Sequence, residues 1–143
     1  MHYSIGEVSD ITGIAASTLR YYDREGMFPA MERSSGGIRV FSETELATLK
    51  VIACLKSSGM PIKDIKEFLD WCQEGDPSLG KRREMFHRRL AEVESQIAEL
   101  ERTRNMLRYK CWYYDTASEA GTEDAVRDLP DEAIPENLRD YRI

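Results

Sequence analysis

The chain has 143 residues, of which 41% are hydrophobic, 32% charged and 9% aromatic. This composition excludes a wholly disordered chain, and the length fits one compact domain or a small domain with an extended element. No stretch contains nearly as many consecutive apolar residues as the about 20 that a membrane-spanning helix needs. The first residues also lack the basic segment followed by an apolar segment that is typical of a signal peptide. We therefore expect a cytoplasmic protein with no membrane partner.

The net charge of −6 is concentrated at the C-terminal end of the chain. Residues 114–143 carry 9 acidic and 3 basic side chains, whereas residues 81–113 carry 9 basic and 5 acidic ones. The overall acidity therefore does not exclude nucleic-acid binding by the rest of the chain. Three cysteines at unrelated spacings predict neither a disulfide framework nor a paired-cysteine zinc site, and we expect no metal and no cofactor.

The N-terminal residues have the pattern of a helix-turn-helix unit. Ser4 and Glu7 form a capping box, and the apolar residues that follow recur at helical spacing until Gly13. A second helix is predicted over about residues 16–25, because Gly26 then ends it. Two short helices joined by a glycine-containing turn are typical of a helix-turn-helix.

A wing and two more helices follow in the sequence. The Ser-Ser-Gly-Gly turn at 34–37, with alternating side chains at 38–41, predicts a hairpin. A second capping box at 42–45 begins a third helix, and Pro61 precedes a fourth. The sequence Gly-Asp-Pro-Ser at 75–78 then predicts a break in the chain.

The last long helix carries a heptad seam, because its apolar residues recur in alternating steps of four and three with only Arg104 interrupting. The seam residues are Phe86, Leu90, Val93, Ile97, Leu100, Leu107, Cys111 and Tyr114. No second heptad helix exists in the sequence, so we expect a coiled-coil homodimer, parallel or antiparallel.

These patterns predict a mainly α-helical fold with four parts. They are a winged helix-turn-helix domain over 1–75, a linker over 76–80, a dimerisation helix over 81–114 and an acidic tail over 115–143. We expect the tail to form loop or short turns that pack on the outside.

One face of the second helix combines groups that suit DNA. Guanidinium groups bind guanine edges or phosphates in bidentate fashion, and hydroxyl groups donate to phosphate. Arginines that flank the wing turn are placed to reach the backbone. A solvated helix face is the alternative, but its position on the second helix of a helix-turn-helix favours DNA. The predicted DNA contacts are Ser17, Thr18, Arg20, Tyr21, Arg24, Arg33 and Arg39, whereas Tyr22 is expected to pack inside.

Three segments resemble the MerR family of transcriptional regulators: residues 4–26 with their Leu-Arg-Tyr-Tyr-Asp motif, the wing at 37–46, and Gly-Met-Pro-Ile-Lys-Asp-Ile at 59–65. The resemblance covers about residues 3–114. It implies a long helix that pairs antiparallel in a homodimer, and the same DNA contacts. It further implies a palindromic promoter operator whose flanking promoter elements are spaced too far apart. The dimer would activate by bending and underwinding that DNA, and so act on RNA polymerase indirectly.

The chain departs from the usual family pattern at three positions. Ala15 stands where the family usually has a capping Ser or Thr, a loss that costs about 1 kcal/mol. Phe41 stands where a wing tyrosine commonly offers a phosphate donor, and Ile38 replaces another tyrosine. These changes weaken individual contacts with DNA, but the predicted class of protein stays the same.

Cys54 is the candidate sensor residue. It points away from the predicted buried stripe of the third helix, formed by Leu46, Leu49, Ile52 and Ala53. Lys50 lies one turn before it, and a nearby ammonium favours the reactive thiolate. The surrounding residues resemble the aldehyde- and thiol-stress-responsive, NmlR/AdhR-like branch of the family. The alternative is a small hydrophobic residue at the contact with the partner's helix.

The other cysteines are predicted to be structural, Cys72 at a helix end and Cys111 in the seam. The cysteines that hold metals in the family's metal sensors have no counterparts here, and the tail is too short for the ligand domain of its drug-binding members. A thiol enzyme using Cys111 and His87 is a rival hypothesis, although these residues lie about 36 Å apart along one helix. A DNA-architectural or adaptor protein without an effector is a further alternative.

Overall fold

The computed structural model describes residues Met1–Ile143 and is mainly helical, as predicted. The elements are α1 Ile5–Thr12, α2 Ala16–Arg24, β1 Glu32–Arg33, β2 Arg39–Val40, α3 Glu43–Ser57, α4 Ile62–Glu74, α5 Leu79–Ala120 and α6 Asp124–Arg127. Short 3-10 turns occupy Asp76–Ser78, Asp131–Ala133 and Glu136–Tyr141. The chain divides into two units, Met1–Arg89 and Leu90–Ile143. No helix combines the length and the apolar character needed to span a membrane.

Local signals set the helix boundaries of the first unit. At α1, the backbone N–H of Glu7 donates to Ser4 Oγ at 3.2 Å, and that of Ser4 donates to Glu7 Oε2 at 2.7 Å. A second capping box precedes α3, and Gly13 ends α1 with a φ of 75°. By contrast, Ala15 precedes α2 without any side-chain cap, as expected from the sequence.

The core of the first unit is built from α1 to α4, the base of the wing and the start of α5. Its buried residues are Val8, Leu19, Tyr22, Met27, Phe28, Phe41, Leu49, Ile52, Leu55, Met60, Ile65, Phe68, Leu69 and Met85. Only part of the stripe predicted for α3 is buried: Leu46 is half-buried and Ala53 is exposed, whereas Leu55 is buried. The burial on α3 therefore continues from Ile52 to Leu55 rather than to Ala53.

Phe41 belongs to the core rather than to the exposed surface of the wing. Its ring is fully buried and packs edge-on against Phe28, with centroids 5.6 Å apart. Its backbone exchanges two hydrogen bonds with Tyr3, at 2.7 and 2.9 Å. The Tyr3 phenol donates to Glu43 Oε1 at 2.8 Å, and this bond raises the pKa of Tyr3. These contacts fix the base of the wing.

α5 is longer at both ends than the predicted range of 81–114. It begins at Leu79 and ends at Ala120. The predicted linker at 76–80 is therefore a 3-10 turn followed directly by the first residues of the helix. Ser78 is buried and donates to the carbonyl of Trp71, while Arg82 Nη2 donates to the carbonyl of Gly75 at 2.9 Å. These bonds satisfy the polar groups of the connection and leave no free loop there.

The second unit packs the acidic tail back onto the C-terminal half of α5. Tyr109 is buried together with Ile134 and Leu138, and Tyr141 packs against this cluster. Asn105 Nδ2 donates to Tyr141 Oη at 3.1 Å. The range predicted as a tail, 115–143, therefore begins inside α5 and continues as α6 and two 3-10 turns held by a few apolar anchors, rather than as loop or short turns alone.

Candidate nucleic-acid interface

α2 has one buried face and one exposed face. Leu19 and Tyr22 are buried, with 0% and 3% of their surface exposed. The exposed side chains, which we call the outward face, are Ser17, Arg20, Tyr21 and Arg24, and Thr18 beside them is half-buried. α2 therefore presents two guanidinium groups, a phenol and a hydroxyl group to solvent.

Tyr22 anchors α2 instead of extending the outward face. Its hydroxyl accepts a hydrogen bond from Lys56 Nζ at 3.3 Å, which links α2 to α3. Just beyond α2, Gly26 has a φ of 78°, and an added Cβ there would come within 3.0 Å of Lys66 Cε. The left-handed backbone favours glycine at this position, whereas the end of the flexible Lys66 side chain can move aside.

The wing is a two-stranded antiparallel hairpin in which Glu32 pairs with Val40 and Arg33 with Arg39. Its loop covers residues 34–38 and closes with a hydrogen bond from Ser34 N to Ile38 O at 2.8 Å. Gly37 supplies the positive φ, 77°, that the loop requires. The wing that the sequence predicts is therefore present, and its tip is exposed.

Both wing arginines bind Asp23 of α2. Arg33 Nη2 donates to Asp23 Oδ2 at 2.6 Å, and Arg39 Nε donates to the same oxygen at 2.7 Å. Arg33 Nη1 also donates to the carbonyl of Gly37 at 3.3 Å. No role for Asp23 is predicted from the sequence, although Asp23 is the acidic residue of the Leu-Arg-Tyr-Tyr-Asp motif. The charges of Arg33 and Arg39 are thus partly compensated within the protein.

The candidate sensor residues lie on the surface of α3. Cys54 is an exposed free thiol, and Lys50 is exposed one turn before it. Lys50 and Ala53 line an apolar groove of about 450 Å³ between α1 and α3, whose lining does not include Cys54. Cys72 is half-buried and packs against the core, whereas Cys111 is exposed in the single chain. No group of three or more His, Cys, Asp or Glu residues is arranged to hold a metal ion.

The predicted seam of α5 has little cover within the chain. Six of its large apolar side chains have between 41% and 69% of their surface exposed: Phe86, Leu90, Ile97, Leu100, Leu107 and Tyr114. Val93 is half-buried. Phe86 lies in the first unit and also packs within it, with its ring centroid 5.2 Å from that of Phe68.

Comparison with known proteins identifies the family. A family model described as "MerR HTH family regulatory protein" matches residues 3–71, and one described as "MerR, DNA binding" matches residues 46–109. The fold matches the crystal structure of HiNmlR, a MerR family regulator lacking the sensor domain, bound to promoter DNA. The identity is 38%, the TM-score is 0.79, and the match covers 94% of this chain and 100% of that one. The chain belongs to the MerR family of transcriptional regulators.

Similarity to two other regulators supports the same family assignment. An uncharacterised HTH-type transcriptional regulator of Haemophilus influenzae is 39% identical over 136 residues, covering 95% of this chain and 98% of that protein. The regulator AdhR of Bacillus subtilis is 31% identical over 83 residues, covering 58% and 59%. The similarity to HiNmlR fits the NmlR/AdhR-like branch that the sequence predicts.

The MerR assignment decides between the broad function classes. The protein is a DNA-binding transcriptional regulator and not an enzyme. The rival hypothesis of a thiol enzyme that uses Cys111 and His87 is therefore wrong. Geometry within one chain agrees, because the two residues lie on the same helix, about 36 Å apart at 1.5 Å per residue.

Proposed function

We propose that this MerR regulator is a cytoplasmic homodimer that binds a palindromic promoter operator and activates transcription by distorting the DNA. The observation that carries the proposal is the exposure of Arg20 and Tyr21 on α2, directly beside an exposed wing. An inward orientation of these two side chains would have left the helix-turn-helix without a reading surface.

The uncovered seam of α5 supports the dimer. An antiparallel partner can cover most of the seam at once, because the two kinds of heptad seam position then face each other. With Ile97 opposite the partner's Leu100, Leu90 lies opposite the partner's Leu107 and Phe86 lies opposite the partner's Cys111. This register fits the antiparallel pairing that the family resemblance implies.

We assign the DNA contacts to the outward face and the wing. Arg20 and Tyr21 have the chemistry to bind base edges and phosphates in the major groove, with Ser17, Thr18 and Arg24 contacting the adjacent backbone. Arg33 and Arg39 reach phosphates beside that groove from their place next to Asp23. A dimer carries two such surfaces, which fits an operator with two symmetric half-sites.

Activation then comes from the shape of the DNA. Contacts at two half-sites held by one rigid dimer bend and underwind the intervening promoter, so that RNA polymerase meets both promoter elements in register. The polymerase is therefore a partner only through the promoter. HiNmlR was crystallised on promoter DNA and lacks a sensor domain, which supports operator binding by a chain of this length.

Transcription in vitro tests this mechanism. The template is the gene's own promoter, together with versions in which the spacer between the promoter elements is shortened one base pair at a time. We expect the protein to activate the full-length spacer and to lose its effect, or repress, as the spacer approaches the polymerase's own optimum. Equal activation at every spacer length would contradict activation by distortion and would favour an adaptor that touches the polymerase.

We further propose that Cys54 receives the inducing signal. An exposed thiol with an ammonium group one turn away is suited to add to the carbonyl group of an aldehyde. A bond forms from the sulfur to the carbonyl carbon, the C=O π bond breaks, and the thiol proton is transferred to the oxygen, which becomes a hydroxyl group. Such an adduct on α3 lies in the same unit as α2 and the wing, so it has a direct route to the DNA-binding surface.

A Cys54→Ser substitution is expected to abolish the response of a promoter reporter to added aldehyde, because the serine hydroxyl is far less nucleophilic than a thiolate. Operator affinity without aldehyde should stay within about twofold, since an exposed Cys-to-Ser change removes little packing. Cys72→Ser, at a half-buried thiol, is the matched control and should retain induction. A full response in Cys54→Ser would remove the sensor role and favour regulation without an effector at this site.

A further inference from the structure

Asp23 connects the two parts of the DNA-binding surface through one carboxylate oxygen. Arg33 from β1 and Arg39 from β2 both donate to Asp23 Oδ2, at 2.6 and 2.7 Å. The Asp23 side chain is only 13% exposed, and those of Arg33 and Arg39 are 47% and 23% exposed. A single group on the recognition helix therefore holds both strands of the wing.

The wing requires such a restraint because it is too small to hold its own position. Each strand has two residues, and a two-stranded hairpin of this size is marginal in water. Arg33 and Arg39 are also direct partners in the strand register, so their like charges repel across the hairpin. Asp23 offsets that repulsion and adds two charge-assisted hydrogen bonds.

Asp23 also stands at the edge of the outward face, between Tyr21 and Arg24 in the sequence of α2. The base of the wing is fixed independently by Phe41 in the core, but its exposed tip at 34–38 has no buried anchor. We propose that Asp23 is a positioning residue that holds the wing at a fixed place beside the recognition helix. The proposal rests on the DNA contacts assigned above.

A wing held in a fixed position favours binding to the operator over binding to unrelated DNA. When the helix occupies its major-groove site, a prealigned wing meets the neighbouring phosphates without losing further freedom. On unrelated DNA no such alignment occurs, and there the negative charge of Asp23 only weakens the attraction to phosphate. Asp23 therefore raises operator affinity while lowering affinity for other sequences.

The test compares binding of the full-length protein to an operator duplex and to an unrelated duplex of equal length at the same salt concentration. For Asp23→Asn we expect operator affinity to fall about tenfold, while affinity for the unrelated duplex stays equal or rises. Glu25→Gln removes the same charge from an exposed position two residues away and is the matched control. It should shift both affinities by the same factor.

If Asp23→Asn changes the affinities for both duplexes by the same factor, as Glu25→Gln is expected to do, Asp23 acts only through its charge and the positioning role is overturned. A wild-type protein with no operator preference would instead refute the assigned DNA contacts. Thermal unfolding of each variant shows whether the fold is retained. If Asp23→Asn fails to fold, Arg39→Lys is the second variant. It keeps the positive charge but removes the hydrogen bond from Arg39 Nε to Asp23, and we expect it to lower the preference for the operator over the unrelated duplex. An unchanged preference in Arg39→Lys would then contradict the proposal.

Discussion

Arg20→Ala should weaken operator binding by about 1–3 kcal/mol at each half-site, which is about fivefold to more than a hundredfold. Arg20 is exposed on α2 in the centre of the outward face, where its guanidinium can bind a guanine edge in bidentate fashion. Because a base contact carries sequence information, the variant should also tolerate base changes at one position of each half-site. Titration of wild-type and mutated operator duplexes measures both effects.

Arg102→Ala is the matched control for this prediction. It removes the same charge from an exposed position on α5 that lies off the seam. We expect its operator affinity to stay close to that of the wild type. If Arg20→Ala weakens the operator and an unrelated duplex by the same factor, Arg20 contacts phosphate rather than a base. If it changes neither, α2 is not the reading helix.

Leu100→Asp should separate the dimer. Leu100 is the most exposed of the large seam residues, at 69%, and it lies in the middle of the seam. In the dimer each introduced carboxylate would be buried against the partner's apolar seam residues, where a charge without a partner is strongly destabilising. We expect the dimer to weaken by at least about 4 kcal/mol, or about a thousandfold in the dissociation constant. Sedimentation at several protein concentrations measures this change.

The control for the dimer prediction is Ala98→Asp, which adds the same charge at an exposed position beside the seam rather than within it. It should sediment as a dimer and bind the operator normally. The fold of the first unit should survive in both variants, because its core contains no residue beyond Met85. A Leu100→Asp protein that remained dimeric would contradict a dimer interface that buries this residue.

The parts of the fold that depend on local signals could be predicted from the sequence. Both capping boxes, the uncapped start of α2 at Ala15 and the left-handed glycine at Gly13 depend on residues within one turn of each other. The outward face could be predicted in the same way, because helical spacing places Arg20 away from the side of α2 that carries Leu19 and Tyr22. Such features need no knowledge of distant contacts.

The parts that depend on long-range contacts were missed or misplaced. Asp23 meets partners ten and sixteen residues away, and this distance gives no periodic signal. The burial of Phe41 could not be predicted, because strand alternation alone does not say which face is covered. The extension of α5 to Ala120 was missed because the heptad pattern stops at Tyr114, although the helix continues under the packed tail.

Footprinting of the gene's own upstream region tests the central claim most directly. If a symmetric dimer reads DNA through α2, the wild-type protein will protect two inverted repeats of one sequence, and Arg20→Ala will leave them unprotected at the same protein concentration. Protection of no segment at any salt concentration, or of a segment without two-fold symmetry, would contradict DNA reading by a symmetric dimer.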